Sequence, residues 1–158
     1  MKRAALFLLL IAAVALAGCS GFGRLVERPK VDLVAVDVVN LTLTTAELSF
    51  EFQVRNPNRM ALVLEEIRYH LQLAGKPWAD ERYGERIEIP GLGRGLVRLP
   101  VTVRFKDLAR LLGKLFSDRP APYEIAADFR FDLPVVGGIT VPLRERGELP
   151  SLRPRFLR

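Results

Sequence analysis

The chain has 158 residues, of which 49% are hydrophobic and 27% charged, and its formal net charge is +6. This length fits one domain, and an apolar content this high excludes intrinsic disorder. One cysteine and one histidine exclude a disulfide framework, a cysteine-cluster zinc site and most multi-histidine metal sites, and they argue against a Cys-His or Ser-His hydrolase.

Residues 1–18 are predicted to be an export signal. Met1-Lys2-Arg3 is a short basic start, followed by an apolar run over residues 4–16 and then by small residues. This order of basic, apolar and small residues is typical of secretory signals. The run is shorter than the ~20 apolar residues that span a bilayer.

The segment Leu16-Ala17-Gly18-Cys19 is similar to the bacterial lipobox, in which the chain is cut just before a cysteine that carries diacylglycerol on its thiol. We predict cleavage between Gly18 and Cys19, because the single cysteine stands at the one position where this chemistry would use it. Two or three acyl chains hold a protein stably at a membrane. Two alternatives stay open: an ordinary cleavage site after Ala17, and an uncleaved anchor.

Residues 19–30 are predicted to be a lipidated tether. By resemblance to enterobacterial lipoproteins, Ser20 after the cysteine favours the outer membrane, so we expect a lipid-anchored protein of the bacterial cell envelope that faces the periplasm. Loss of Lys2 and Arg3 with the signal lowers the net charge from +6 to +4. The expected partners are the membrane, through the lipid on Cys19, and a lipid or an envelope protein. Export excludes nucleic acid, although the pI is about 10.0.

Alternation of apolar and polar residues predicts β-strands from residue 31 onward. The clearest strand is residues 47–55, where Leu48, Phe50, Phe52 and Val54 share one face. Pro100 lies inside another predicted strand, which indicates a sheet edge or a bulge because proline lacks an N–H. The other predicted strands are residues 31–39, 67–73, 86–89, 97–105, 123–132 and 139–143, about seven in all, with turns at residues 56–58, 74–77, 90–93 and 137–138.

Residues 107–116 break the pattern, because their leucines recur at helical spacing. One helix among about seven strands predicts a mainly β fold: an antiparallel seven-stranded β-sandwich over residues 31–149 with one α-helix. Residues 150–158 form an Arg-rich C-terminal tail, with Arg153, Arg155 and Arg158. This tail is either a solvated end or a contact for anionic lipid phosphates.

The order of these features resembles the late embryogenesis abundant (LEA) type 2 family, also called the water stress and hypersensitive response (WHy) domain. The resemblance begins with a strand over residues 50–55 that closes in the turn Asn56-Pro57-Asn58, and it continues through residues 67–76, 87–93, 99–101, 123–125, 139–143 and 147–149. It implies a fibronectin type III-like sandwich with one helix. Many bacterial members are exported lipoproteins, and the family name implies a role in dehydration or cold stress.

The Asn56-Pro57-Asn58 turn also has a physical explanation. A proline pushes the preceding Asn56 toward extended geometry, and Pro57 itself ends strand pairing. Asn58 tolerates left-handed backbone angles and bonds readily to nearby main chain. We interpret the turn as a structural strand terminator, with ligand binding by either asparagine as the alternative.

The remaining candidates for chemistry receive structural interpretations. Glu65 and Glu66 are adjacent, so on a regular strand they point to opposite faces and are unable to act as an acid-base pair. His70 is expected to be a solvated surface residue, and Trp78 to lie in a turn at the rim of the core or in an exposed contact patch. Residues 91–95 carry alternate glycines but join two strands, which indicates a hairpin and not a phosphate loop. The sequence therefore predicts no catalytic residues, no metal and no cofactor.

These observations favour a non-enzymatic envelope lipoprotein that binds or protects something near the membrane under desiccation, cold or envelope stress. The first alternative is a lipid or apolar-ligand binding protein, in which the leucine-rich helix covers an apolar groove. The second alternative is a scaffold that recruits a protein partner in the periplasm.

Overall fold

The computed structural model describes residues 26–42, 44–104, 121–134 and 137–149. These residues form eight β-strands and contain no helix. The strands are β1 (Lys30–Leu41), β2 (Thr45–Arg55), β3 (Leu62–Leu73), β4 (Lys76–Tyr83), β5 (Ile87–Ile89), β6 (Arg94–Arg104), β7 (Ala121–Leu133) and β8 (Gly137–Leu149).

The strands form two antiparallel sheets that pack face to face. The first sheet has the order β1-β2-β6, and we call it the three-stranded sheet. The second has the order β4-β3-β7-β8, and we call it the five-stranded sheet. Its fifth strand, the short β5, pairs with the first residues of β3 on the side away from β7. The prediction of a mainly β, antiparallel sandwich is confirmed.

The core lies between the sheets and is built from alternate residues of each strand, since strand side chains point to opposite faces in turn. Phe52 of the three-stranded sheet meets Phe129 of the five-stranded sheet edge to face, with ring centroids 4.9 Å apart and an angle of 74° between the planes. Phe50 meets Tyr123 in the same way at 5.8 Å. Each fully buried large apolar side chain stabilises the fold by about 1.5–3 kcal/mol. The largest are Phe50, Phe52, Phe129, Phe131, Leu62, Leu64, Ile67, Leu71, Ile89, Leu99, Ile125 and Leu133.

The predicted count of seven strands is wrong, because β4 includes Lys76, Pro77 and Trp78, which the sequence predicts to be turn residues, and residues 79–83, for which it predicts no strand. This strand buries only Ala79 and half-buries Trp78 and Tyr83, so its sequence lacks the alternation that identifies the others. β8 extends well beyond the predicted residues 139–143, because its inward positions 145 and 147 are Glu145 and Gly147, which interrupt the alternation of apolar and polar residues. The predicted helix at residues 107–116, the export signal and the C-terminal tail lie outside the described residues.

Proline positions agree with the sheet edges. Pro100 lies on β6, an edge strand of the three-stranded sheet, which confirms the prediction made from its missing N–H. Pro77 and Pro142 lie on β4 and β8, the outer strands of the five-stranded sheet. The remaining edge strand, β1, is interrupted by two irregularities in register, near Val34 and Val39. Such features discourage edge-to-edge association with other chains.

The prediction that Glu65 and Glu66 point to opposite faces is wrong. A register shift between Leu64 and Glu66 interrupts the pairing of β3 with β7, and Leu64 and Ile67, three residues apart, are both fully buried. The two glutamates between them therefore both lie toward the outer face. Each one forms an ion pair with an arginine there, Glu66 with Arg68 and Glu65 with Arg130.

Candidate functional site

The Asn56-Pro57-Asn58 turn joins β2 to β3 at the end of the sandwich where β1 begins. Asn56 is 1% exposed and Asn58 is 6% exposed, and within the described part of the chain they are the buried polar residues. Buried polar groups destabilise a fold unless they are hydrogen-bonded. The partners of these two side chains therefore decide what the turn can do.

Asn56 joins two turns that are distant in the sequence. Its side-chain nitrogen Nδ2 donates to the carbonyl oxygen of Met60 at 2.8 Å, within its own turn, and to that of Pro90 at 3.1 Å, in the turn between β5 and β6. Its backbone N–H donates to the carbonyl of Gly93 at 3.0 Å. Its oxygen Oδ1 accepts from the backbone N–H and from the side-chain Nδ2 of Asn58, at 3.0 and 3.1 Å.

Asn58 adds the segment before β1 to this cluster. Its Oδ1 accepts from the backbone N–H of Glu27 at 2.8 Å, and its Nδ2 donates to the Glu27 carbonyl, also at 2.8 Å. Its own carbonyl accepts from the backbone N–H of Leu92 at 2.7 Å. We call residues 26–30, 56–61 and 90–94, which these bonds connect, the anchor end of the sandwich.

The close contact of the two turns requires glycine. A Cβ on Gly91 would lie 2.1 Å from the carbonyl oxygen of Arg59, which is much closer than van der Waals contact allows. The atom it would meet belongs to the backbone and not to a flexible side chain. Every N–H of the two asparagine side chains is donated within the chain. The geometry therefore suits a structural connection, and it leaves the two side chains no free donor for a ligand.

The outer face of the five-stranded sheet carries opposite charges in neighbouring positions. Glu124 lies between Arg146 at 3.0 Å and Arg144 at 3.7 Å. The hydrogen bond from Arg68 is the main cause that lowers the pKa of Glu66 below its usual value. An open groove of about 520 Å³ on this face is lined by polar residues that include Arg68, His70, Asp80, Asp128 and Arg144.

The other candidate residues from the sequence take structural positions. His70 is partly exposed on this outer face, with Nδ1 4.0 Å from an oxygen of Asp80. Trp78 lies at the rim of the core, as one of its two interpretations held, but on β4 and not in a turn. Its Nε1 donates to the carbonyl of Leu73 at 3.1 Å. Residues 91–93 do join two strands, β5 and β6.

Gly18 and Cys19, the predicted cleavage and lipidation residues, lie outside the described residues. No group of three or more His, Cys, Asp or Glu suited to a metal ion occurs among residues 26–42, 44–104, 121–134 and 137–149. Over the same ranges, no helix has the length and apolar character to cross a membrane.

Comparison with known proteins agrees with this architecture. Lea14-A, a late embryogenesis abundant protein of Gossypium hirsutum, is 26% identical over 133 residues, which cover 83% of this chain and 88% of that protein. A desiccation-related protein of Arabidopsis thaliana is 28% identical over 133 residues, covering 83% and 80%. The solution structure of a late embryogenesis abundant protein of Arabidopsis thaliana superposes with a TM-score of 0.66 at 24% identity and covers 98% of this chain and 90% of the other.

The model of the family described as "Late embryogenesis abundant protein" matches residues 51–147. The match runs from β2 to β8 and includes the Asn56-Pro57-Asn58 turn, and it covers more than half of the chain. The chain therefore belongs to the late embryogenesis abundant type 2 family.

Proposed function

We propose that this protein is a non-enzymatic lipoprotein of the bacterial cell envelope whose LEA type 2 domain protects the envelope during desiccation. The observation that carries the protective role is the similarity, over 83% of the chain, to a plant protein described as desiccation-related. The site described above supports a role without catalysis, since its polar groups bond to one another and not outward.

Protection by this domain would act through the surface of a folded module. Among the described residues, every buried side-chain nitrogen and oxygen atom has a hydrogen-bond partner. Such a core does not depend on bulk water to satisfy its polar groups. The order of the strands, β1-β2-β6 against β4-β3-β7-β8, supports the fibronectin type III-like description of that module.

Attachment to the membrane rests on the lipobox Leu16-Ala17-Gly18-Cys19. Seven residues separate Cys19 from Glu27, whose backbone is bonded to Asn58. The eight residue-to-residue steps from Cys19 to Glu27 span at most about 28 Å when the chain is fully extended. A lipid on Cys19 would therefore hold the domain beside the bilayer, with Ser20 directing it to the outer membrane.

A deletion strain tests the protective role. We expect lower survival after drying and rehydration than in the parent, with recovery when the wild-type gene is restored. Restoration with Cys19→Ala should fail, whereas Asn40→Ala, a change at an exposed position of β1, serves as the control that should restore survival. Equal survival of deletion and parent would refute the protective role.

Mass spectrometry of the envelope protein tests the anchor separately. We expect a mature chain that begins at Cys19 and carries a diacylglycerol or triacyl modification. A mature chain with an unmodified Cys19 thiol would refute the anchor and leave the family assignment intact.

A further inference from the structure

A row of three cations crosses the three-stranded sheet at its anchor end. Lys30 of β1 is the register partner of Arg55 of β2, and Arg55 is the partner of Arg94 of β6. All three are exposed, and they share the outer face because the adjacent Val31 and Val54 are buried in the core. Like charges directly opposite one another on neighbouring strands destabilise a sheet.

Several other arginines on the two sheets lie beside acids. On the same face, Arg98 is 2.6 Å from Glu51, and on the other sheet Arg146 is 3.0 Å from Glu124. Within the described ranges, neither Lys30, Arg55 nor Arg94 takes part in an ion pair. No ion pair within the described residues offsets the repulsion in this row, which points to an anionic partner outside the sandwich.

Further cations and exposed apolar side chains surround this row. Arg28 precedes β1, and Arg59 lies in the turn after β2; both are exposed. Leu92, in the turn between β5 and β6, is 70% exposed with a backbone φ of 52°, an uncommon conformation for leucine. The hydrogen bond from Leu92 N–H to the carbonyl of Asn58 holds the two turns together. The other exposed apolar residues here are Met60 and Leu96. The acids of this end are Glu27 and, slightly farther along the strands toward the opposite end, Asp32, Glu88 and Asp132.

We propose that the anchor end is a docking surface for the membrane that holds the protein, with its cations on the phosphates of anionic phospholipid headgroups and Leu92 and Met60 in the interface. Cations around exposed apolar side chains suit the interface of an anionic bilayer. This inference rests on the proposed lipid anchor at Cys19, which would bring this end to the bilayer first.

The length of the tether favours this orientation over its reverse. The 13 residues of β8 span about 40 Å, whereas the eight residue-to-residue steps from Cys19 to Glu27 span at most about 28 Å. A sandwich standing on its opposite end would place Glu27 beyond the reach of the lipid. The C-terminal tail follows Leu149, whose partner is Ala121 at that opposite end, and its nine residues extend at most about 32 Å.

Site-specific fluorescence quenching tests the docking. The full protein, extracted from the envelope, receives a dye at Leu92→Cys or at Thr44→Cys, an exposed position in the β1–β2 turn at the opposite end. Each form is reconstituted into vesicles of phosphatidylcholine and phosphatidylglycerol with a quencher on the lipid headgroups. We expect quenching at position 92 to exceed that at position 44 by about threefold or more, and the ratio to fall as salt is raised.

Charge variants identify the cations responsible. Lys30→Gln/Arg55→Gln/Arg94→Gln should lower the quenching ratio toward the value that the tether alone produces. The matched control, Arg68→Gln/Arg82→Gln/Arg144→Gln, removes three cations from the outer face of the five-stranded sheet and should leave the ratio unchanged. Equal quenching at both positions, stronger quenching at position 44, or an unchanged ratio in the first triple variant would each overturn the proposal.

The mass of the same preparation separates this proposal from the anchor. An unmodified Cys19 would refute the anchor alone. The dye comparison would then be repeated with Cys19→Ala added, so that each chain carries a single label. Preferential quenching at position 92 would support the docking surface in either case.

Discussion

Asn58 pairs with the backbone of Glu27 as a neighbouring strand would, through one accepted and one donated hydrogen bond, each 2.8 Å long. A single side-chain amide thus holds the segment that enters β1. Because Glu27 lies within the predicted tether of residues 19–30, the pair marks the point at which the chain becomes part of the sandwich.

We expect Asn58→Ala to release this segment while the sandwich stays folded. The backbone amide of Glu27 loses its acceptor, so its hydrogen exchange should accelerate roughly tenfold or more. Exchange measured by NMR reports this directly, with Asn40→Ala, an exposed asparagine on β1, as the control. Unchanged protection of Glu27 would show that Asn58 does not hold the segment.

Asn56→Asp tests the connection between the two turns with almost no change in shape. A carboxylate oxygen would replace Nδ2 and face the carbonyl oxygens of Met60 and Pro90, which repel it. We expect a loss of about 3 kcal/mol in the free energy of unfolding at neutral pH. The loss should shrink in acid, since protonation removes the charge and restores one donor.

Urea denaturation over a range of pH measures this effect. Asn40→Asp, which makes the same change at an exposed position, should be nearly neutral. Equal stability of the two variants would contradict the structural role of Asn56.

Gly91→Ala tests the close approach of the turns. Its Cβ would meet the Arg59 carbonyl at 2.1 Å, so the two turns must separate. Overpacking of this kind costs about 1–3 kcal/mol. Gly84→Ala is the matched control, because the nearest atom to its Cβ lies 3.9 Å away. Thermal unfolding of both variants should show a clear loss for Gly91→Ala only.

Stability should fall at high pH because of Tyr69. Burial, together with nearby Glu81, raises the pKa of Tyr69 to about 12, whereas an unfolded tyrosine titrates near ~10. The folded state therefore favours the protonated phenol. The stability that the protonated Tyr69 contributes is complete below the pKa of the unfolded state and is lost as the pH rises through the pKa of the folded state.

Chemical denaturation at rising pH checks this prediction. Tyr69→Phe should reduce the decline between pH ~10 and ~12. Tyr83→Phe should reduce the decline less than Tyr69→Phe does, because Tyr83 lies on the edge strand β4 and its pKa is raised mainly by a hydrogen bond to Glu85 and less by burial. An equal decline in wild type and Tyr69→Phe would refute the assignment.

Arg55→Glu should increase stability and abolish docking. The change replaces two like-charged register pairs, with Lys30 and Arg94, by two opposite-charged pairs. Opposite-charge pairs of this kind contribute roughly 0.2–1 kcal/mol each. Arg98→Glu on β6, which breaks the ion pair with Glu51, should be destabilising in the same urea assay. A less stable Arg55→Glu would mean that the row stabilises the fold and is not an unfavourable arrangement kept for a partner.

Several strands were predictable because their pattern is local. Leu48, Phe50, Phe52 and Val54 alternate with polar residues, and this alternation alone places β2 between a core and solvent. The pairing of Glu65 and Glu66 with arginines was not predictable in this way. A register shift depends on how β3 pairs with β7, and a short stretch of sequence around Glu65 contains no information about that pairing.

The sequence by itself determined the faces of the regularly alternating strands and the turn at residues 56–58, because each depends on neighbours within a few residues. Tertiary structure decided that Asn58 meets Glu27, 31 residues away, and that Lys30, Arg55 and Arg94 form one row. The reason is physical: strand pairing joins residues that are distant along the chain, and the choice of partners depends on the packing of the whole sandwich.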